Sequence, residues 1–139
     1  MKETRDPTSL PQGRERILLV DDEAEIVATL KQMLASLGYL VSAFTGSAAA
    51  LETFRAQPED FDLVITDQTM PHLTGEELAR EMLRLRPDLP IILCTGFSAA
   101  VSPEKARAMG IREFIIKPVP TRTMAETIRR ALAPRHNPR

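Results

Sequence analysis

The sequence predicts an α/β domain: a five-stranded parallel sheet in the order 2-1-3-4-5, doubly wound with helices on both faces. Three observations carry that expectation. Short apolar, β-branched runs alternate along the chain with stretches whose apolar residues recur at helical spacing. Runs such as Leu63-Val64-Ile65 are too short for buried helices but suit strands covered on both sides. Finally, four of the five runs stop at polar residues, at Asp21-Asp22, Asp67, Thr95 and Lys117. In an open parallel sheet those ends share one edge, where such folds bind their ligands.

Each element has its own grounds. Residues 1–14 hold Pro7, Pro11 and Gly13 among polar residues and read as a flexible lead-in or linker. Arg16 to Val20 is the first strand. Ile26, Leu30, Met33, Leu34 and Leu37 then mark an amphipathic helix with Gly38 as its C-terminal cap. Tyr39 to Phe44 is the second strand, and Ser47 is the expected N-cap of a helix through Ala48, Leu51 and Phe54 that stops before Pro58. Phe61 to Thr66 is the third strand. Thr74 and Glu77 form a capping box for a helix through Leu78, Met82 and Leu85 that Pro87 ends. Ile91 to Cys94 is the fourth strand. Ser102-Pro103 opens a short helix closed by Gly110. Arg112 to Ile116 is the fifth strand, and Thr121 is the expected cap of a helix through Met124, Ile128, Ala131 and Leu132. Residues 134–139 form a tail.

At 139 residues and 43% hydrophobic, the chain fits one domain with a sizeable core. No apolar run approaches the length of a membrane span, and residues 1–16 lack the apolar stretch of a secretory signal, so a cytoplasmic location is expected. Cys94, the single cysteine, lies in an apolar run and reads as a buried core thiol. The net charge of −1 hides a split: residues 1–70 carry 6 Lys/Arg against 12 Asp/Glu, and residues 71–139 carry 12 against 7. The basic residues are scattered along helical faces, with no Trp and one Tyr beside them, so nucleic acid is not the expected partner. His72 and His136 show no metal-ligand spacing and read as solvent-exposed.

The chemistry lies at the strand ends. The crevice between strands one and three, where the strand order reverses, collects Asp21, Asp22 and Asp67. Three adjacent carboxylates repel, so a proton or a cation must neutralise part of their charge. Hard oxygen donors without His or Cys favour Mg²⁺, with Mn²⁺ as a substitute. Lys117 adds a positive charge and Thr95 a hydroxyl, a set that suits a phosphoryl group. An aspartate can accept such a group as an acyl phosphate.

With these residues in place, residues 15–133 resemble the receiver domain of two-component phosphorelay signalling, the response-regulator or CheY-like fold. The resemblance implies Asp67 as phosphoacceptor, Asp22 as direct metal ligand, Asp21 as an acid acting mainly through water, and the Thr69 backbone carbonyl as a further ligand. It implies Thr95 as the switch hydroxyl, Lys117 as the phosphate partner, Phe114 as the aromatic switch and a cis bond before Pro118. Met70-Pro71 and Gly75 fit the family's loop. The implied partner is a histidine kinase's phosphohistidine domain or a histidine phosphotransfer protein, met by a monomer or a weak phosphorylation-dependent dimer. Lys105, Arg107, Arg112, Arg122 and Arg129 are expected on the surface that signals the switch.

Read singly, Asp22 could cap the first helix with Glu25, and Phe114 could be an ordinary core aromatic. A phosphatase of the haloacid dehalogenase kind would want a second acid at position 69, which is Thr69, and no insertion supplies a substrate cap. A flavodoxin-type carrier would want a Ser/Thr/Gly-rich loop after strand one, which is absent. The domain by itself is therefore expected to be a switch rather than an enzyme. The stretch Ile65 to Leu78 with Cys94 to Ser98 further resembles receivers attached to hybrid sensor histidine kinases, with a free-standing regulator as the alternative.

Overall fold

A computed structural model describes residues 10–96 and 101–134. Five strands run β1 (Arg16–Val20), β2 (Leu40–Phe44), β3 (Leu63–Asp67), β4 (Ile91–Thr95) and β5 (Glu113–Ile116). Between and after them lie α1 (Ala24–Ser36), α2 (Ser47–Ala56), α3 (Gly75–Leu85), α4 (Pro103–Met109) and α5 (Thr121–Leu132). All strand pairs are parallel and the order is β2-β1-β3-β4-β5, as the alternation of runs requires.

Side-chain alternation along each strand divides the core in two. Ile17, Leu19, Leu63, Ile65, Ile92 and Ile115 face α1 and α5 through Leu30, Leu34, Met124 and Ile128. Leu18, Val20, Val64, Ile91 and Leu93 face α2, α3 and α4 through Leu51, Phe54, Leu78, Met82 and Ala106. Every residue of β3 and β4 is buried. That is why these strands are apolar without alternation.

Most element ends match expectation within two residues, and the differences have local causes. Pro58–Asp60 forms a 3-10 turn, so β3 starts at Leu63 and includes Asp67. Arg112 stays outside β5 and sends its guanidinium to the Ala131 and Asp88 carbonyls at 2.8 and 3.0 Å. Thr121 is the first helical residue of α5; the cap position is Pro120, and no side chain bonds there. Ser47 likewise is the first residue of α2, after Gly46, and its hydroxyl points to another part of the molecule. The Thr74–Glu77 capping box and the Ser102 cap are present. Gly38, just past α1, has φ +102° and lies against the Gly13 carbonyl, so both its backbone freedom and its lack of a side chain are used.

Of residues 1–14, the part from Leu10 onward is described: Leu10 packs on the α1–α5 side, and the Gly13 amide donates to the Leu37 carbonyl at 3.1 Å. His72 is exposed, and His136 lies outside the described residues. No helix among the described residues is long and apolar enough to cross a membrane.

Candidate functional site

The carboxyl ends of β1, β3 and β5 bring four charged groups together. Asp21 follows β1, Asp67 is the last residue of β3, and Lys117 follows β5. The Lys117 ammonium donates to Asp21 Oδ2 and to Asp67 Oδ1, at 2.9 Å each. Asp21 Oδ1 accepts the Glu23 amide at 3.0 Å, so both of its oxygens are held. Asp22 stands beside them, exposed, while Asp21 and Asp67 are buried. Asp22 is not the cap of α1: that position is Glu23, with no side-chain bond.

Carboxylate oxygens of Asp21, Asp22 and Asp67 all lie within 4.8 Å of one another. Three carboxylates against one ammonium leave two negative charges in a half-enclosed crevice. Burial pushes the Asp67 carboxyl above the ordinary aspartate range; the neighbouring Asp21 and Asp22 charges add to this, and the Lys117 hydrogen bond offsets part of it. Burial alone would discharge Lys117, but its bonds to Asp67 and Asp21 outweigh that and raise its pKa. The donor set, all hard oxygen with an uncompensated double charge, fits a divalent cation such as Mg²⁺.

The remaining expected residues surround this cluster. Thr69 is exposed in the loop two residues beyond Asp67. Thr95 is buried at the end of β4, its hydroxyl donating to the Gly96 carbonyl at 3.3 Å and its carbonyl accepting the Lys117 amide at 2.8 Å. Register pairs Thr95 with Ile116 and Leu93 with Phe114, so Thr95 and the half-buried Phe114 face the same side of the sheet. The Lys117–Pro118 bond is cis. Cys94, paired with Asp67 across β3 and β4, is buried, and burial pushes its thiol up to about 12. An open groove of about 610 Å³ adjoins Lys117 and Pro118, walled by Ile26, Leu30, Met33 and Val119.

The expected basic signalling face is only partly there. Arg129 turns to Glu15 and Tyr39 at the opposite end of the sheet, Arg112 binds carbonyls, Lys105 pairs with Glu76 at 3.8 Å, and Arg122 pairs with Glu126. Helical spacing places a residue on a face but does not show which acid or carbonyl it meets there.

Three supporting residues carry more than the sequence suggested. Gln68 is buried, and its side-chain oxygen accepts the Glu76 amide at 2.9 Å, fixing the start of α3. Gly75 leaves no room for a side chain, because a Cβ there would overlap the Asp67 carbonyl oxygen and the Leu93 side chain. Ser47 reaches across from α2 to the loop after β3, donating to the Pro71 carbonyl at 3.1 Å and accepting the Leu73 amide at 3.2 Å.

Known proteins share both sequence and architecture with this chain. The family model described as the response regulator receiver domain matches residues 17–129. The response regulator receiver protein CpdR of Brucella abortus is 36% identical over 118 residues, covering 85% of this chain and 97% of that protein. The transcriptional regulatory protein ZraR of Escherichia coli is 31% identical over 121 residues, 87% of this chain; the match spans only 27% of ZraR. A receiver domain structure from Clostridium thermocellum superposes with a TM-score of 0.81 at 30% identity, covering 85% of this chain and 94% of that one. TrrA of Thermotoga maritima, solved in complex with Mg²⁺ and BeF, gives 0.76 at 32% identity, covering 85% and 99%. None of these relatives is named as a hybrid kinase receiver, so the expected likeness to that subgroup gains no support from them.

Proposed function

Because this chain belongs to the response regulator receiver domain family, we propose that it accepts a phosphoryl group on Asp67 from a phosphohistidine donor and passes the event on as a change of surface. The observation that carries this reading is the Lys117 ammonium bridging Asp21 and Asp67 at 2.9 Å each, beside a third carboxylate. Lys117 engages Asp67 Oδ1, which leaves Oδ2 as the nucleophile. That oxygen forms the new bond to phosphorus as the phosphorus–nitrogen bond breaks, and the electron pair returns to the imidazole of the donor. Lys117 then stabilises negative charge on the transferred group.

Asp21, Asp22, Asp67 and the Thr69 carbonyl would hold the divalent cation, Mg²⁺ or Mn²⁺ in its place. When bound, that ion supplies charge neutralisation to the phosphoryl oxygens. Thr95, at the same sheet edge, is the hydroxyl proposed to turn to the phosphoryl group, with Phe114 following on the same face. The apolar groove beside Lys117 and Pro118 offers the donor protein a landing surface next to the acceptor. A cytoplasmic site of action agrees with such donors. The chain makes and loses its own acyl phosphate and needs no separate substrate site, so we propose a switch rather than an enzyme. Likeness to CpdR across nearly all of that relative supports a receiver that signals through its own surface.

Acetyl phosphate with Mg²⁺ should add the mass of one phosphoryl group, read by intact-protein mass spectrometry, and Asp67→Asn should remove it. Full labelling of Asp67→Asn would overturn the assignment.

A further inference from the structure

The loop between β3 and α3 carries a strained turn beside the acceptor, and one side chain from another element holds it. His72 has φ +73°, a conformation that non-glycine residues rarely adopt. The Leu73 amide donates to the Pro71 carbonyl across it at 2.8 Å, closing a three-residue γ-type turn, which is the rare and strained form at positive φ. Ser47 bonds to the same two groups. Its hydroxyl donates to the Pro71 carbonyl and accepts the Leu73 amide. Ser47 is 1% exposed and belongs to α2, 24 residues before Pro71. At the other end of the loop, Gln68 accepts the Glu76 amide and its carbonyl accepts the Gly75 amide at 2.9 Å. Thr69, whose carbonyl is assigned to the cation above, lies between these two anchors.

We propose that Ser47 is a positioning residue for the cation and phosphoryl site: its hydroxyl pins the Pro71–Leu73 turn and so holds the loop that presents Thr69. The inference rests on the reading that this edge binds a divalent cation, but the pinning itself belongs to the cation-free protein. A tie between α2 and the loop could serve folding alone. That alternative predicts lost stability with an unchanged site in whatever fraction remains folded. Positioning predicts a weakened site in fully folded protein, because partners that orient ligands from outside the site typically govern metal affinity. It further predicts that glycine at position 72, which adopts positive φ without strain, lessens the need for the hydroxyl.

The experiment compares wild type, Ser47→Ala, His72→Gly and the double variant, with the near-isosteric Ser47→Cys standing in should Ser47→Ala fail to fold. Hydrogen exchange of the Leu73 amide in the cation-free protein reads the pinning, and Mn²⁺ titration of the folded protein reads its consequence. Ser47→Ala should expose the Leu73 amide to faster exchange and weaken Mn²⁺ binding by about tenfold. Adding His72→Gly should restore most of that affinity. Mn²⁺ affinity within twofold of wild type in folded Ser47→Ala, or no recovery in the double variant, would overturn the proposal. Failure of the wild type to bind Mn²⁺ would instead overturn the functional reading, while the exchange result would still report whether Ser47 holds the turn.

Discussion

The two ends of the sheet treat charge in opposite ways. At the amino end, charged groups are matched. Arg129 donates through both terminal nitrogens to Glu15 and also meets Tyr39, Arg16 pairs with Asp62, and Arg86 and Arg112 are spent on backbone carbonyls. At the carboxyl end, three carboxylates share one lysine, two of them buried. The amino end also relaxes its tight turn with a glycine, Gly38, where the carboxyl end puts His72 at positive φ. Matched charges leave nothing to bind, so they serve the fold. Unmatched charges destabilise the fold locally and for that reason can take up a cation or a phosphoryl group.

The sharpest way to break this contrast is to remove the lysine that bridges the carboxylate cluster. Lys117→Ala should slow phosphorylation from acetyl phosphate by roughly 10²-fold at saturating Mg²⁺, the scale of losing one aimed donor. Its Mg²⁺ affinity should change far less. A wild-type rate would show that the ammonium is only a structural counter-charge.

Next in size is the division of labour between the two acids after β1. Asp21 is fully engaged by Lys117 and the Glu23 amide, whereas Asp22 is exposed beside the cluster. Asp22→Ala should therefore weaken Mg²⁺ binding by about tenfold, and more than Asp21→Ala does. Calorimetric titrations giving equal losses would refute the ranking.

At the amino end the matching change is Arg129→Ala. It should cost about 1 kcal/mol in urea unfolding, since the pair is only partly buried, and leave the phosphorylation rate untouched. A slowed rate would mean that the two ends are coupled.

The smallest effect is in pH dependence, and its sign differs between the ends. The Arg129 bonds hold the Glu15 carboxyl below its ordinary value of 4.5, so its stabilising contribution is present above that value and lost as pH falls through the lowered one. Asp67 is raised above 3.8, so folding is penalised as pH climbs through that value to the raised one and beyond. Asp67→Asn should therefore show a higher urea midpoint than wild type at neutral pH, with the advantage narrowing toward about pH 4. In Arg129→Ala, the part of the acid destabilisation due to Glu15 should vanish. An advantage of Asp67→Asn that is flat with pH would separate it from ionisation.

What the sequence revealed divides along a physical line. Strands buried on both faces, helices closed by Gly38, Gly110 and proline, and polar residues at strand ends are written locally. Topology then brings Asp21, Asp67 and Lys117 together without further information. Hydrogen-bond partners between distant elements are not written locally. Ser47 looks like a helix cap by position, yet its hydroxyl serves the loop after β3. Arg129 looks like part of a basic face, yet its partners are Glu15, just ahead of β1, and Tyr39. Gln68 had no pattern around it at all; only the approach of α3 to the end of β3 gives it a role.

The thiol of Cys94 provides a built-in clock for the sheet's own breathing. It sits on an inner strand directly across from Asp67, nearly inaccessible and kept protonated at any ordinary pH. The thiol also borders the groove beside Lys117, so a thiol-reactive dye reaches it from that side when the packing around β4 loosens, and labelling speed counts those openings. With one cysteine in the chain, the readout needs no engineered site. A cation or acyl phosphate at Asp67 that tightens the centre of the sheet would lengthen the labelling time in direct proportion to how rarely it opens.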